Sequence, residues 1–78
     1  MISQRTLKTL THTARMLQAM DALPDHPRAA EYAAQIAQYR LLWSILSPAD
    51  RAQLSEMAGQ VHDMTEPKIK AAVAALEG

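Results

Sequence analysis

Three histidines, eight carboxylates and four serines are the side chains of this chain that could do chemistry. Metal ligation on a helix asks for His or carboxylate three or four residues apart on one face. His12, His26 and His62 contain no such pair. His62 has Asp63 beside it and Glu66 four residues on, but Thr65-Glu66-Pro67 reads as the start of a new helix, which breaks the shared face. The histidines therefore read as surface or capping residues, and no metal or other cofactor is expected. Nucleophilic catalysis has no cysteine to use. The serines (Ser3, Ser44, Ser47, Ser55) sit in no glycine-flanked elbow. Gly59 and Gly78 alone cannot build a phosphate-cradling loop. No carboxylate pair stands apart from ordinary surface positions, and 78 residues leave little room for a substrate pocket. The chain reads as non-enzymatic.

Binding chemistry is better represented. Arg5, Lys8, His12 and Arg15 fall within an ~80° arc when placed on a helix. This basic stripe could meet an acidic protein face or nucleic acid phosphates. Three formal charges are few for affinity by counterion release, so nucleic acid ranks below protein as a partner. A membrane is not expected as a partner, because the apolar side of the same helix has no aromatic residue and is needed for a core. A second candidate is the row Tyr32, Ile36, Tyr39 and Trp43, with Arg40 and Leu42 beside it. Aromatics and Arg dominate interface hot spots, so Tyr32, Tyr39, Arg40, Leu42 and Trp43 are expected to be partner-binding. The competing reading places that row in the chain's own core, where a small domain with one Trp commonly spends it.

Four helices are needed to position these residues. The first is expected from about Gln4 to Ala22, with Ser3 as N-cap and a stripe of Leu7, Leu10, Ala14 and Leu17 extended by Met20. Leu23-Pro24-Asp25-His26-Pro27 ends it, because proline cannot continue the ladder and restricts its predecessor. The second is expected from about Pro27 to Leu46, capped by Asp25 or His26, with Pro27 in the first turn. The third opens at Ser47-Pro48-Ala49-Asp50, serine being the cap. It is expected to bury Leu54, Met57, Ala58, Val61 and Met64, with Gly59 as a local weakness. The fourth is expected from about Glu66 to Glu77, burying Ile69, Ala72, Val73 and Leu76. The fold class is therefore all-α, a small bundle of three to four helices with short proline-containing turns. Residues 1–78 are read as one helical domain.

The second helix is the unusual element. Its one polar stripe is Arg28, Glu31, Gln35 and Gln38. Besides the aromatic row it has a second apolar face made of Ala30, Ala33, Ala34, Ala37, Leu41 and Ile45. A helix apolar over most of its circumference must be surrounded. The third and fourth helices are expected to cover one face and the first helix part of the other. Some of Tyr32, Tyr39, Leu42 and Trp43 would then remain for a second copy of the chain, as a two-fold dimer.

Composition points the same way. Hydrophobic residues make up 49% of the chain, too many for a disordered tail. The apolar set is mainly Ala, Leu and Met without Phe, which favours helix over strand. A chain of this length buries only roughly 60% of its unfolded surface. Small domains offset that with disulfides, metal or association, and with no cysteine or metal motif, association is favoured. Formal net charge is zero, yet residues 1–20 carry three basic and no acidic residues, and residues 21–78 carry five basic and eight acidic. No apolar run approaches the ~20 residues that span a bilayer, and the basic stripe interrupts any leader-like block near the start. A cytoplasmic location is expected.

The expected function is that of a small helical protein–protein interaction module, a regulator, inhibitor or adaptor that binds another protein or itself as a homodimer. The alternative is a helix-turn-helix DNA-binding regulator using residues 54–77 with the basic first helix. Against it, Gly59 and Asp63 depart from the usual Ala and Gly of that motif. Its reading helix would offer Lys68 and Lys70 but no Arg, Asn or Gln to read bases.

Overall fold

Proline and short polar side chains divide the chain close to where the sequence places the turns. The computed structural model describes residues 4–61 and 64–78, apart from the side chains of Gln4, Arg5, Leu7 and Val61. Its helices are α1 (Gln4–Ala22), α2 (Ala29–Ser44), α3 (Pro48–Val61) and α4 (Glu66–Glu77). The fold is an all-α bundle of four helices, with no strand among the described residues. Ser3, expected to cap α1, lies outside the described residues, as do His62 and Asp63.

α1 and α4 keep their expected bounds, while α2 is shorter at both ends. His26 is the reason at its start. Its carbonyl accepts the Ala29 N–H at 3.0 Å, and its Nδ1 accepts the Arg28 N–H at 3.0 Å. These bonds close a separate turn, so Pro27 lies before the helix rather than in its first turn. Arg28 occupies the N-cap position without a side-chain cap bond. At the other end Leu46 N–H reaches only to the Trp43 carbonyl, at 3.1 Å, a tightened last turn. Ser47 then caps α3 as expected, its Oγ accepting the Asp50 N–H at 3.1 Å. Thr65 precedes α4 in an extended conformation, and Pro67 stands in that helix's first turn, where a missing N–H costs nothing.

The core cluster is Leu10, Trp43, Leu54, Ala58, Ala72 and Leu76, drawn from all four helices. Met57, Ile69 and Val73 pack against it half-buried, as expected of α3 and α4. Met64 does so too, but from beyond the end of α3, and the side chain of Val61, the other member of that stripe, lies outside the described residues. α1 behaves differently from its leucine pattern. It packs against α2, α3 and α4, so a wider face is enclosed, and Thr9, Thr13 and Met16 are buried beside Leu10. Thr9 meets the cost of burial inside its own helix by donating to the Thr6 carbonyl at 2.7 Å. The Thr13 hydroxyl is fully buried without a partner.

Of the two readings the sequence leaves open for the large-residue face of α2, the structure has the one that turns Ile36 and Trp43 into the chain's own core. α1 and α4 enclose the large side chains, with Ile36 at 5% and Trp43 at 2% exposure. The small-residue face is left outside: Ala30, Ala33, Ala34, Ala37, Leu41 and Ile45 are all exposed. The magnitudes explain the choice. An aromatic ring buries about 150–250 Å², worth roughly 4–6 kcal/mol at ~25 cal/mol/Å². Each alanine methyl is worth only about 0.8 kcal/mol, and alanine is the best helix former when exposed.

Two substitutions test this packing. Thr13→Val removes a buried hydroxyl that has no partner while keeping the side-chain shape. It should raise unfolding free energy by about 1 kcal/mol, measured by urea denaturation followed through the single tryptophan. Gly59 has room for a methyl group: an added Cβ would lie 3.6 Å from Ile69 Cδ1 and 3.9 Å from the Met64 carbonyl oxygen. Gly59→Ala should stabilise the protein by about 0.5–1 kcal/mol through helix propensity. A fall in melting temperature would show that α3 needs the glycine.

Candidate protein-interaction surface

The residues expected to bind a partner are scattered by the fold rather than collected. Trp43 lies in the core, so its ring is not on the surface. Tyr39 is half-buried against the core, and its hydroxyl lies 3.0 Å from His12 Nδ1. Tyr32 is half-buried with its ring 5.0 Å from that of His26, centroid to centroid. Leu42 is half-buried. Arg40 is exposed, yet its Nε donates to the Ala75 carbonyl at 2.7 Å. That carbonyl belongs to the last turn of α4, which has no intrahelical donor for it. Arg40 thus ties α2 to the end of α4.

A second arginine does the same for α2 and was not anticipated. Arg51 donates from Nε to the Trp43 carbonyl at 3.1 Å and from its terminal nitrogen to the Ser44 carbonyl at 3.2 Å. Its guanidinium lies 5.8 Å from the centroid of the Trp43 ring, within cation–π range. One bend carries the chain from α2 into α3, so a cation in the first turn of α3 reaches back to the carbonyls it has just passed. The signal in the sequence is a basic residue four positions after the Ser47 cap, where acidic residues are favoured by the helix dipole.

The basic stripe of α1 is only partly assembled. The Arg5 side chain lies outside the described residues. Lys8 and Arg15 are exposed, and His12 is half-buried. Arg15, His12, Met16, Gln35 and Tyr39 line a groove of about 320 Å³ between α1 and α2. No serine or carboxylate lines this groove beside the His12–Tyr39 contact. Among the described residues no group of three His, Asp or Glu is placed to hold a metal ion.

The DNA-reading alternative calls for one positive surface joining α1 to Lys68 and Lys70. Lys70 is paired with Glu66 at 3.2 Å. Lys68 shares a groove with Asp21, Gln18 and Pro67 between α1 and α4. An acidic group therefore accompanies each of these lysines. Among the described residues no helix is long and apolar enough to cross a membrane.

What remains is the outer face of α2. Leu41 is 70% exposed and Ile45 79% exposed. They continue the line of Ala30, Ala34 and Ala37, with Ala33, Gln38 and Ser44 on its edges, all exposed. Every residue of this strip is uncharged. The nearest charges are engaged elsewhere: Glu31 with Arg28 at 3.8 Å, and Arg40 with α4. Two large aliphatic side chains in water on a flat, neutral helix face are the feature a docking helix would cover. Sequence pattern had already marked this face as apolar; what it could not supply was its exposure.

No family model, no curated protein and no solved structure matches the chain.

The helix-end role of Arg51 predicts a stability effect. Arg51→Met keeps the aliphatic stem but leaves the Ser44 carbonyl without its donor and the Trp43 carbonyl with the Leu46 N–H alone, and should cost about 1–2 kcal/mol. Arg51→Lys should recover only part of that loss, because an ammonium cannot span both carbonyls as the planar guanidinium does. Full recovery in a denaturation experiment would reduce the contact to simple charge.

Proposed function

We propose that this chain is a small helical interaction module, a regulator, inhibitor or adaptor that works by binding another protein through the outer face of α2. One observation carries the reading: Leu41 and Ile45 stand 70% and 79% exposed on a face without charge. A folded chain gains by burying such side chains, at roughly 1.5–3 kcal/mol for each large aliphatic group fully covered. Nothing within the described residues covers them. The small residues that precede them let the backbone of a docking helix approach closely, at the near end of the usual 8–10 Å interaxial range. In the aromatic row, the other candidate, Ile36 and Trp43 are buried and Tyr32 and Tyr39 are half-buried, so it offers less free apolar surface. No structural feature favours the DNA-reading alternative over this one.

The test is a capture experiment with matched baits. Wild-type protein and the double variant Leu41→Lys/Ile45→Lys are immobilised and exposed to lysate of the source organism. Both substitutions fall on exposed positions, so circular dichroism should be unchanged. Wild type should retain one or more chains that the double variant releases. Identical sets on the two baits would remove the outer face of α2 from consideration as the binding surface.

A further inference from the structure

The face that carries the interaction reading has a graded shape, and the grading selects its occupant. Its first half, Ala30, Ala34 and Ala37, is small; its second half, Leu41 and Ile45, is large. The spacing 30, 34, 37, 41 alternates four and three residues, the interval of a helix–helix seam. All of these residues fall within an ~80° arc. We propose that the occupant is a second copy of this chain, with the two α2 helices packed antiparallel about a two-fold axis.

Antiparallel pairing solves the shape problem of the strip with itself. With the axis between positions 34 and 37, Ala34 of one copy faces Ala37 of the other, and Leu41 faces Ala30. Leu41 then lies on the small half of the opposing helix. In the same register Ile45 passes beyond the first turn of the opposing α2 toward position 26, in the connection that also holds Leu23, 51% exposed. A parallel pair would instead set Leu41 on Leu41 and Ile45 on Ile45, leaving the alanine halves apart. Electrostatics agree. A neutral strip has nothing with which to select an acidic or basic partner, and nothing with which to repel its own copy. Antiparallel packing also opposes the two helix dipoles.

Area sets the strength. α2 has 16 residues, about 24 Å of helix. A strip of that length and roughly 10 Å width, an ordinary helix diameter, offers roughly 250 Å² in projection. A stable standard-size interface needs about 800 Å² from each partner. A face of that size suits a weak, reversible dimer rather than a permanent one.

This inference rests on the interaction reading above but fails separately from it. Sedimentation equilibrium between about 10 μM and 1 mM should show a rising dimer fraction for wild type and a monomer throughout for Ile45→Lys. Because the chain has no cysteine, single-cysteine variants report geometry without background. Ala30→Cys and Leu41→Cys proteins, mixed in a thiol–disulfide buffer, should form the mixed disulfide in excess over random pairing. A wild-type monomer at 1 mM overturns self-pairing, and the capture experiment then still decides whether another protein uses the face. An excess of the Ala30→Cys self-disulfide overturns the antiparallel arrangement.

Discussion

Burial of Trp43 is the constraint on which the rest of the structure depends. The chain has no Phe and a single Trp, so one ring supplies the largest piece of apolar area that any helix can bring to the core. Enclosing it fixes the rotation of α2 about its own axis. That rotation draws Ile36 inward and directs Arg40 to the end of α4. By the same stroke it turns Ala30, Ala34, Ala37, Leu41 and Ile45 outward. The interaction surface is the reverse side of the core, and neither could be moved without the other.

Arginine completes what the ring begins. Helices leave their last carbonyls without donors, and the C-terminal ends of α2 and α4 are served by guanidinium groups from neighbouring helices. Arg51 both satisfies the end of α2 and lies over the Trp43 ring. The contact fastens the connection between α2 and α3 beside the Trp43 ring. Polar groups inside are few and of mixed quality: Thr9 is satisfied within its helix, whereas the Thr13 hydroxyl and the Trp43 indole N–H have no partner. Unsatisfied buried groups of this kind cost about 1–3 kcal/mol each, a large share of the 5–15 kcal/mol that typically stabilises a domain. A bundle with so narrow a margin gains from any contact that covers Leu41 and Ile45.

Much of the fold was legible in residue order. Ser47 before Pro48, Thr65 before Pro67, and the proline pair around Asp25-His26 are local signals, and their effects extend over a few residues. The end of α1 and the start of α4 follow from them directly. The errors at α2 have a local cause of a different kind. His26 uses both its carbonyl and its ring nitrogen to close a turn, which a search for helix caps does not weigh. For the candidate surface, sequence periodicity marked both apolar faces of α2 and favoured the aromatic one for a partner. Of the favoured residues, Trp43 lies in the core and Tyr39 packs against it, whereas Tyr32 and Leu42 stay half-buried and Arg40 exposed; Arg51 carries no hydrophobic signal.

The sequence by itself determined that the chain is four helices, where most of them begin and end, and which sides of them are apolar. Those properties arise from interactions between residues one to four positions apart, and they are written in the spacing. Only the tertiary structure decided which apolar side of α2 is covered. A helix wheel ranks faces by hydropathy but carries no information on where neighbouring helices lie. That placement depends on packing between residues such as Leu10, Trp43 and Leu76, distant in sequence. The outcome was decided by volume: one large ring outweighs a row of methyl groups, so the small face, with Leu41 and Ile45 at its end, was the one left to water.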